Sequence, residues 1–383
     1  HTGILASGSL QAGSSVTCRV DYDRRRSVAP NHSMTHVLNA ALRKVLGDTV
    51  EQRGSLCNDE KLRFDFSHKK AMTAKQLRST EEYCKAAVEN AEPVTAAVMP
   101  LDEAKEIDGV RAVFGEVYPD PVRVVSVGEE TSVEFCGGTH LSNTKEAEAF
   151  ALVEESAVAK GIRRITAVTK GAALEAIEEG KKFEERVASL EQLDPSSTSD
   201  LDKQAGSLRK DLDAAYTSAP LKATLRSRIE SIQKKAVDAK KRALAQRVDK
   251  VLNVVTAQIE EAAGAGKTAL VLEVDIGADS KASQKVLNAA KKLAPDMAFM
   301  GLSEEENGSG GKLACFAAVP EAMAEGGFRA DEWVRSALGV CGGRGGGKPD
   351  SAQGQAKECD DVGAVVKQAD LFAAEKKAEG PSV

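Results

Sequence analysis

Apolar and polar positions along the chain fall into three regimes. From Met34 the apolar spacing is helical, through Val37, Leu38, Ala41, Leu42 and Val45, and it stops at Gly47. Asn31, just after Pro30, has a side chain suited to accept from the free amides of a first turn, so the helix is predicted to start there. Upstream, Gly3 to Leu10 and Ser15 to Tyr22 read as two short strands around a glycine-rich turn, ending in Arg24-Arg25-Arg26. Residues 52–66 alternate, most clearly at Arg63-Phe64-Asp65-Phe66, and Thr73 to Ala91 predicts a helix. Short β-like runs follow at Val94–Val98, Val122–Val127, Ser132–Phe135, Ala149–Glu155 and Arg163–Val168. Such a mixture predicts an α+β domain.

The second regime, 171–262, is rich in Ala, Lys, Glu and Leu and has no glycine between Gly206 and Gly264. Leu208, Leu212 and Ala215, then Leu221, Leu225, Ile229, Ile232 and Ala236, keep a three-to-four spacing that Pro220 interrupts. This predicts a long antiparallel helical hairpin bent near 217–221. In the third regime the pattern is α/β: strand Ala269–Val274, helix Ser280–Leu293, strands Met297–Leu302 and Leu313–Val319, helix Asp331–Leu338. A glycine-dense loop, Cys341 to Gln355, comes next, and the polar tail from 375 is expected to fray. The fold class is therefore α+β: an α+β domain, a helical hairpin and a small C-terminal α/β domain. The boundaries fall at 1–28, 29–170, 171–262, 263–374 and 375–383.

Composition changes this picture in few places. With one Trp, four Tyr and ten Phe in 383 residues, the cores must be built mostly from Ala, Val, Leu and Ile. The net charge of −6 disfavours binding nucleic acid through overall positive charge. That average hides a basic arm, Lys222 to Lys250, with ten Lys/Arg against three Asp/Glu. No run of 18 apolar residues exists, so no membrane span is expected. Seven cysteines at irregular spacing suggest a reducing compartment rather than a disulfide framework. His1-Thr2-Gly3-Ile4-Leu5 reads like the middle of a strand, without a signal peptide, so a piece of a longer polypeptide is expected.

Histidine carries the chemistry. The chain has five: His1, His32, His36, His68 and His140. His32 and His36 are four apart on the first predicted long helix, which puts both rings on one face. Cys136 and His140 share that spacing in Cys136-Gly137-Gly138-Thr139-His140, where two glycines let the chain fold tightly. Three histidines and one cysteine suit zinc. A metalloprotease is disfavoured, because Ser33 stands where the general-base glutamate would follow the first histidine. His68 reads as an ordinary surface or core residue. Gly264-Ala265-Gly266-Lys267-Thr268 imitates a phosphate loop, but Glu261 holds the place of its first glycine, and the segment follows a helix instead of a strand.

Several segments together resemble the editing domain of alanyl-tRNA synthetases. They are Asn31-His32-Ser33-Met34-Thr35-His36-Val37-Leu38, Gln52-Arg53-Gly54-Ser55-Leu56, Arg63 to His68, and Val133-Glu134-Phe135-Cys136-Gly137-Gly138-Thr139-His140. Gly346-Gly347-Lys348-Pro349-Asp350-Ser351-Ala352-Gln353-Gly354 resembles that family's C-terminal DHHA1-type domain, with Gln355 in place of a further glycine. Tyr118 to Val125 is similar to the eukaryotic versions. The resemblance covers nearly the whole chain in the family's order.

It implies that 29–170 is an editing domain that hydrolyses tRNA(Ala) mischarged with serine or glycine, and that 1–28 is the remnant of a β-barrel subdomain. Residues 171–262 would be the hairpin linker and 263–374 a tRNA-binding domain. The zinc ligands would be His32, His36, Cys136 and His140, with Thr35 and Gln52 at the editing pocket. Thr35 has a second reading, as a helix residue bonding a backbone carbonyl. Seryl and glycyl esters differ from alanyl by one hydroxyl or one methyl, which a hydrophobic pocket rejects by only about 100-fold, so a second, hydrolytic sieve makes chemical sense. Arg344 and Lys348 would meet tRNA phosphates in a glycine turn rich in backbone amides. ATP would be used only by an aminoacylation domain outside this chain. The partner is tRNA(Ala), the family often self-associates through its C-terminal domain, and the compartment implied is the cytoplasm, with the mitochondrion open. Whether the zinc is catalytic or structural stays open, since four protein ligands describe a closed site. Two rivals remain: a stand-alone trans-editing protein and a non-catalytic, zinc-stabilised tRNA-binding module. A phosphoesterase related through the DHHA1 domain lacks any Asp-His-His run.

Overall fold

The structure, a computed structural model, describes residues 3–112, 117–305 and 311–379. His1 and Thr2, and the end of the tail from 380, lie outside the described residues. The chain divides into two compact units, 1–235 and 236–383.

The first unit opens with an extended, exposed segment without strands, so the two strands expected before Tyr22 are not formed. Helix α1 (Tyr22–Leu46) begins ten residues earlier than the apolar spacing indicates. Its N-cap is Asp21, whose carboxylate accepts from the Arg24 amide at 3.0 Å. The Arg24–Arg26 turn has no apolar residue to betray it; Arg24 and Arg26 are exposed, and Arg24 pairs with Asp59 at 3.4 Å. Pro30, read as a start signal, lies inside the helix, and Asn31 is buried rather than capping. The Asn31 side chain donates to the Asn58 carbonyl at 2.9 Å and accepts from the Thr169 hydroxyl at 2.8 Å.

Strands β1 (Gln52–Cys57) and β2 (Leu62–Ser67) form a hairpin, followed by α2 (Ala74–Glu89). Strand β3 (Val94–Met99), the short α3 (Leu101–Lys105), β4 (Val122–Val127), β5 (Ser132–Phe135), β6 (Phe150–Ala159) and β7 (Ile162–Thr169) complete the α+β part. The sheets are β1-β2-β7-β6 and β3-β4-β5, antiparallel throughout. Met34, Val37, Leu38, Ala41 and Leu42 of α1 pack with Phe64 and Phe66 of β2, Phe150 and Leu152 of β6, and Leu77 and Val88 of α2. The opposite edge of α1 meets β4 and β5. A helix wedged between two sheets leaves one polar stripe facing the three-stranded sheet, and the candidate site sits there.

Three helices occupy 170–264: α4 (Lys170–Glu191), α5 (Leu201–Ala214) and α6 (Ala219–Gly264). The bend at 215–218 agrees with the apolar pattern. The break at 192–200 does not follow from it; Asp194-Pro195-Ser196 interrupts the chain there, with Asp194 capping the Ser196 amide at 2.9 Å. Within the first unit, Arg228 pairs with Glu191, Arg209 with Glu230 and Arg226 with Asp213. Two of the cations in the basic arm are thus engaged by neighbouring acids.

In the second unit, β8 (Ala269–Glu273), α7 (Ser280–Leu293), β9 (Ala298–Glu305), β10 (Gly311–Ala318), α8 (Glu321–Glu325), α9 (Ala330–Gly339), β11 (Arg344–Lys348), β12 (Ser351–Cys359) and α10 (Val362–Glu379) build a five-stranded sheet in the order β11-β12-β10-β9-β8. Helix α10 continues through 375–379, where a frayed tail is expected. Trp333, Val334 and Leu338 of α9 pack with Val365 and Ala369 of α10 on one face, while Val286 and Leu287 of α7 cover Phe299 and Phe316 on the other.

The glycine-dense stretch 341–355, expected as a loop, is largely a β-hairpin. Arg344↔Gln355 and Lys348↔Ser351 are register partners in β11–β12. Its glycines permit close packing: a Cβ on Gly354 would fall 2.5 Å from Leu338 Cδ1 and 2.6 Å from the Gly345 Cα. Gly354→Ala is therefore expected to lower stability by about 1–3 kcal/mol, the usual range for overpacking, as read by urea unfolding.

Candidate metal centre

Four side chains converge between α1 and the end of β5. The candidate ligand atoms of His32, His36, Cys136 and His140 all lie within 4.8 Å of one another. His32 and His36 are one turn apart on α1, with ring centroids 5.5 Å apart, and His140 lies 4.4 and 4.9 Å from them. Cys136 Sγ is 3.6 Å from His32 Nε2 and 3.3 Å from His140 Nε2. Ordinary zinc–nitrogen and zinc–sulfur bonds in a tetrahedron put neighbouring ligand atoms about 3.4–3.6 Å apart.

The loop that brings Cys136 and His140 together is held from behind. Arg123 on β4 donates to the carbonyls of Cys136 and Gly138, both at 2.8 Å. The Gly138 amide points at Cys136 Sγ at 3.4 Å. At Gly138 a Cβ would lie 2.0 Å from His32 Cε1, so this glycine leaves the His32 ring its place; at Gly137 a Cβ would meet nothing within 4 Å.

The rings are aimed by their far nitrogens. His36 Nδ1 lies 2.5 Å from Glu134 Oε2 and His140 Nδ1 lies 3.1 Å from the Ser33 hydroxyl, which also accepts from the Leu141 amide at 3.0 Å. His36 Nε2 is buried without a hydrogen-bond partner. An orphaned imidazole nitrogen beside a thiol and two further rings is the donor set a zinc ion takes, so the residues fit the group.

The electrostatics agree. Burial would push the Cys136 thiol up, but the His140 and His32 rings and the Gly138 amide at hydrogen-bonding distance, with the neighbouring His36, outweigh it and place its pKa at about 3. It is thus a thiolate at neutral pH, the form that binds metal. Burial alone would lower His36, yet Glu134 and Cys136 raise it; Glu134 stays ionised against its own burial because His36, Asn39 and Arg111 favour the charge.

The other expected site residues are placed differently. Thr35 is buried on α1, and its hydroxyl donates to the Asn31 carbonyl at 2.8 Å and lies 3.1 Å from Cys57 Sγ. Gln52, on β1, lines a cavity of about 400 Å³ together with Asn39, Arg43, Arg111, Glu134 and Phe135. Arg344 and Lys348 are exposed on β11, at the sheet edge of the second unit. Glu134, Asn39, Ser33 and Arg123 were not foreseen. Their signal was available: Ser132 and Glu134 alternate toward Cys136 on one strand face, and Asn39 follows His36 by three on the helix.

Residues 122–166 match the model of the threonyl and alanyl tRNA synthetase second additional domain. Residues 173–239 match an alanine–tRNA ligase domain and 266–375 the DHHA1 domain. Cytoplasmic alanine–tRNA ligase from Drosophila melanogaster is 37% identical over 396 residues, covering 98% of this chain and 40% of that protein. The alanine–tRNA ligase of Schizosaccharomyces pombe is 37% identical over 97% of the chain. The chain corresponds to an alanyl-tRNA synthetase C-terminal region. It spans 40% of the length of the fly relative. The mitochondrial alanine–tRNA ligase of Saccharomyces cerevisiae matches 48% of this synthetase region at 48% identity. The crystal structure of the C-Ala domain from Aquifex aeolicus alanyl-tRNA synthetase covers 28% of it at 21% identity, with a TM-score of 0.23, too low to equate the two folds. The additional-domain match takes in Cys136 and His140 with the strands that carry them; His32 and His36 come from α1, ahead of it. Among the described residues, no helix is long and apolar enough to cross a membrane.

Proposed function

We propose that this synthetase region hydrolyses tRNA(Ala) mischarged with serine or glycine, and that zinc held by His32, His36, Cys136 and His140 belongs to that site. The observation that carries the reading is the four-ligand cluster, whose Cys136 and His140 fall in the segment that matches the synthetase additional domain while His32 and His36 come from α1. A bound zinc ion would supply a fixed positive charge near the ester carbonyl. Gln52 enters the proposal as a substrate contact, because its cavity also holds the Glu134 carboxylate. Thr35 enters as support for the pocket wall through Asn31 and Cys57. The ligase activity that names the relatives is proposed for the longer protein, in the cytoplasm; self-association through 263–374 is proposed too.

The test is single-turnover hydrolysis of Ser-, Gly- and Ala-tRNA(Ala). Hydrolysis of the first two with the third spared supports the reading. Tight tRNA binding with no hydrolysis would leave a non-catalytic module.

We propose further that tRNA is held through phosphates by Arg344, Lys348 and the exposed Lys234, Lys235, Lys241 and Arg242 of α6. Each phosphate contact releases condensed counterions, so affinity should fall steeply with salt. Lys234→Ala/Lys235→Ala is expected to weaken binding at low salt and flatten that slope by roughly one to two. A slope unchanged in filter-binding titrations would remove these lysines from the contact.

A further inference from the structure

We infer that Glu134 is a positioning residue for the metal: its carboxylate selects the nitrogen of His36 that faces the ion and supplies the negative charge that balances the centre. The inference rests on the metal reading above and extends it to a side chain outside the ligand set.

Glu134 lies on β5 two residues before Cys136 and is 8% exposed. One oxygen, Oε2, meets His36 Nδ1 at 2.5 Å. The other, Oε1, accepts from Asn39 Nδ2 at 2.9 Å and Ser132 Oγ at 3.0 Å, and faces Arg111 Nη1 at 3.7 Å. A buried carboxylate is tolerated only when its lone pairs are filled, and these partners fill them. They also fix it in place, since Asn39 comes from α1, Ser132 from β5, and the backbone of Arg111 is bonded to β5 through Val133 and Phe135.

A neutral imidazole has one N–H and one lone pair. A carboxylate at Nδ1 holds the proton there, which leaves the lone pair on Nε2, the atom that is buried without a partner. The arrangement fixes Nε2 as the nitrogen that gives its lone pair to an ion, with the proton kept at Nδ1, and makes Nε2 a stronger donor. Charge adds a second reason. A divalent ion with one thiolate and three neutral rings carries a net positive charge, and Glu134 cancels it within a buried shell. His140 is oriented by the neutral Ser33 hydroxyl, so the charged partner falls to His36, the most buried of the three rings in the cluster.

The test uses the full chain. Zinc affinity is measured by competition with a chromophoric chelator, the visible spectrum is recorded on the cobalt-substituted protein, and unfolding is followed in EDTA. Glu134→Gln is expected to bind one ion about 10- to 100-fold more weakly, with the cobalt–thiolate band retained and the ligand-field bands shifted. Asn39→Ala, which loosens the carboxylate without removing it, should show a smaller loss in the same direction. Zinc affinity and a cobalt spectrum like those of the unchanged protein in Glu134→Gln would overturn the inference, as would a loss confined to stability in EDTA. If Glu134→Gln does not fold, Asn39→Ala decides alone, and unchanged affinity there overturns it. Failure of the unchanged protein to take up zinc would bring down the metal reading and this inference together, whereas uptake of one ion with equal affinity in the variants refutes the inference only.

Discussion

Cys136→Ala is expected to abolish hydrolysis of Ser-tRNA(Ala) and to drop zinc from one ion per chain toward none. The thiolate is the only anionic ligand in the set, and it touches two rings directly, at 3.6 and 3.3 Å. Its removal leaves three neutral imidazoles, which bind a divalent ion far less tightly. The loop itself should survive, because Arg123 holds it through the carbonyls of residues 136 and 138, which alanine keeps. The change therefore separates metal loss from misfolding. Zinc at about a thousandfold excess over its dissociation constant would stabilise the unchanged chain by about 4 kcal/mol, a shift visible in thermal unfolding. Cys136→Ala should show the melting temperature of the stripped protein with or without zinc. Full deacylation in this variant would sink the assignment of the site.

Gly138→Ala is expected to cost metal affinity far more than stability. The new Cβ would sit 2.0 Å from His32 Cε1 and 2.6 Å from Nδ1. Those atoms belong to the far end of a side chain, so the ring swings aside and the fold loses little. The swing takes a ligand out of the tetrahedron. Zinc affinity should fall on the order of 100-fold, the upper end of what loss of an orienting contact does, and hydrolysis of Ser-tRNA(Ala) should fall with it at limiting zinc. Gly137→Ala is the control: a Cβ there meets nothing within 4 Å, and affinity should stay within a factor of two or so of the unchanged chain. Equal losses at both positions would mean that the backbone, rather than ring clearance, demands the glycines.

The ligands were legible because each pair sits within one turn, four residues apart, and such spacing survives whatever the rest of the chain does. The helix Ser280–Leu293 was legible for a related reason: it buries one face, so its period is printed in the sequence; the strand Val122–Val127 was legible from its run of valines, four of them buried. The start of α1 was not. Its first two turns bury almost nothing, and Pro30 with Asn31 imitates a helix start while serving inside one. The glycine-dense hairpin misled in the opposite direction. Glycines that suggest a flexible loop stand where α9 packs directly on the strands, a long-range contact that no local pattern reports. Thr35 shows the same limit at the site itself. It follows the motif, and its hydroxyl is committed to the Asn31 carbonyl and Cys57 Sγ, partners that spacing alone does not report.

The central claim, that the four-residue cluster is the working centre of an editing site, is met most directly by single-turnover deacylation of Ser-tRNA(Ala) with the chain first stripped of metal and then titrated with zinc. Hydrolysis is predicted to match the protein-free background in the stripped chain and to rise with zinc until it saturates at one ion per chain, with Ala-tRNA(Ala) unaffected throughout. Background hydrolysis at full zinc occupancy, or a rate indifferent to zinc, would contradict it.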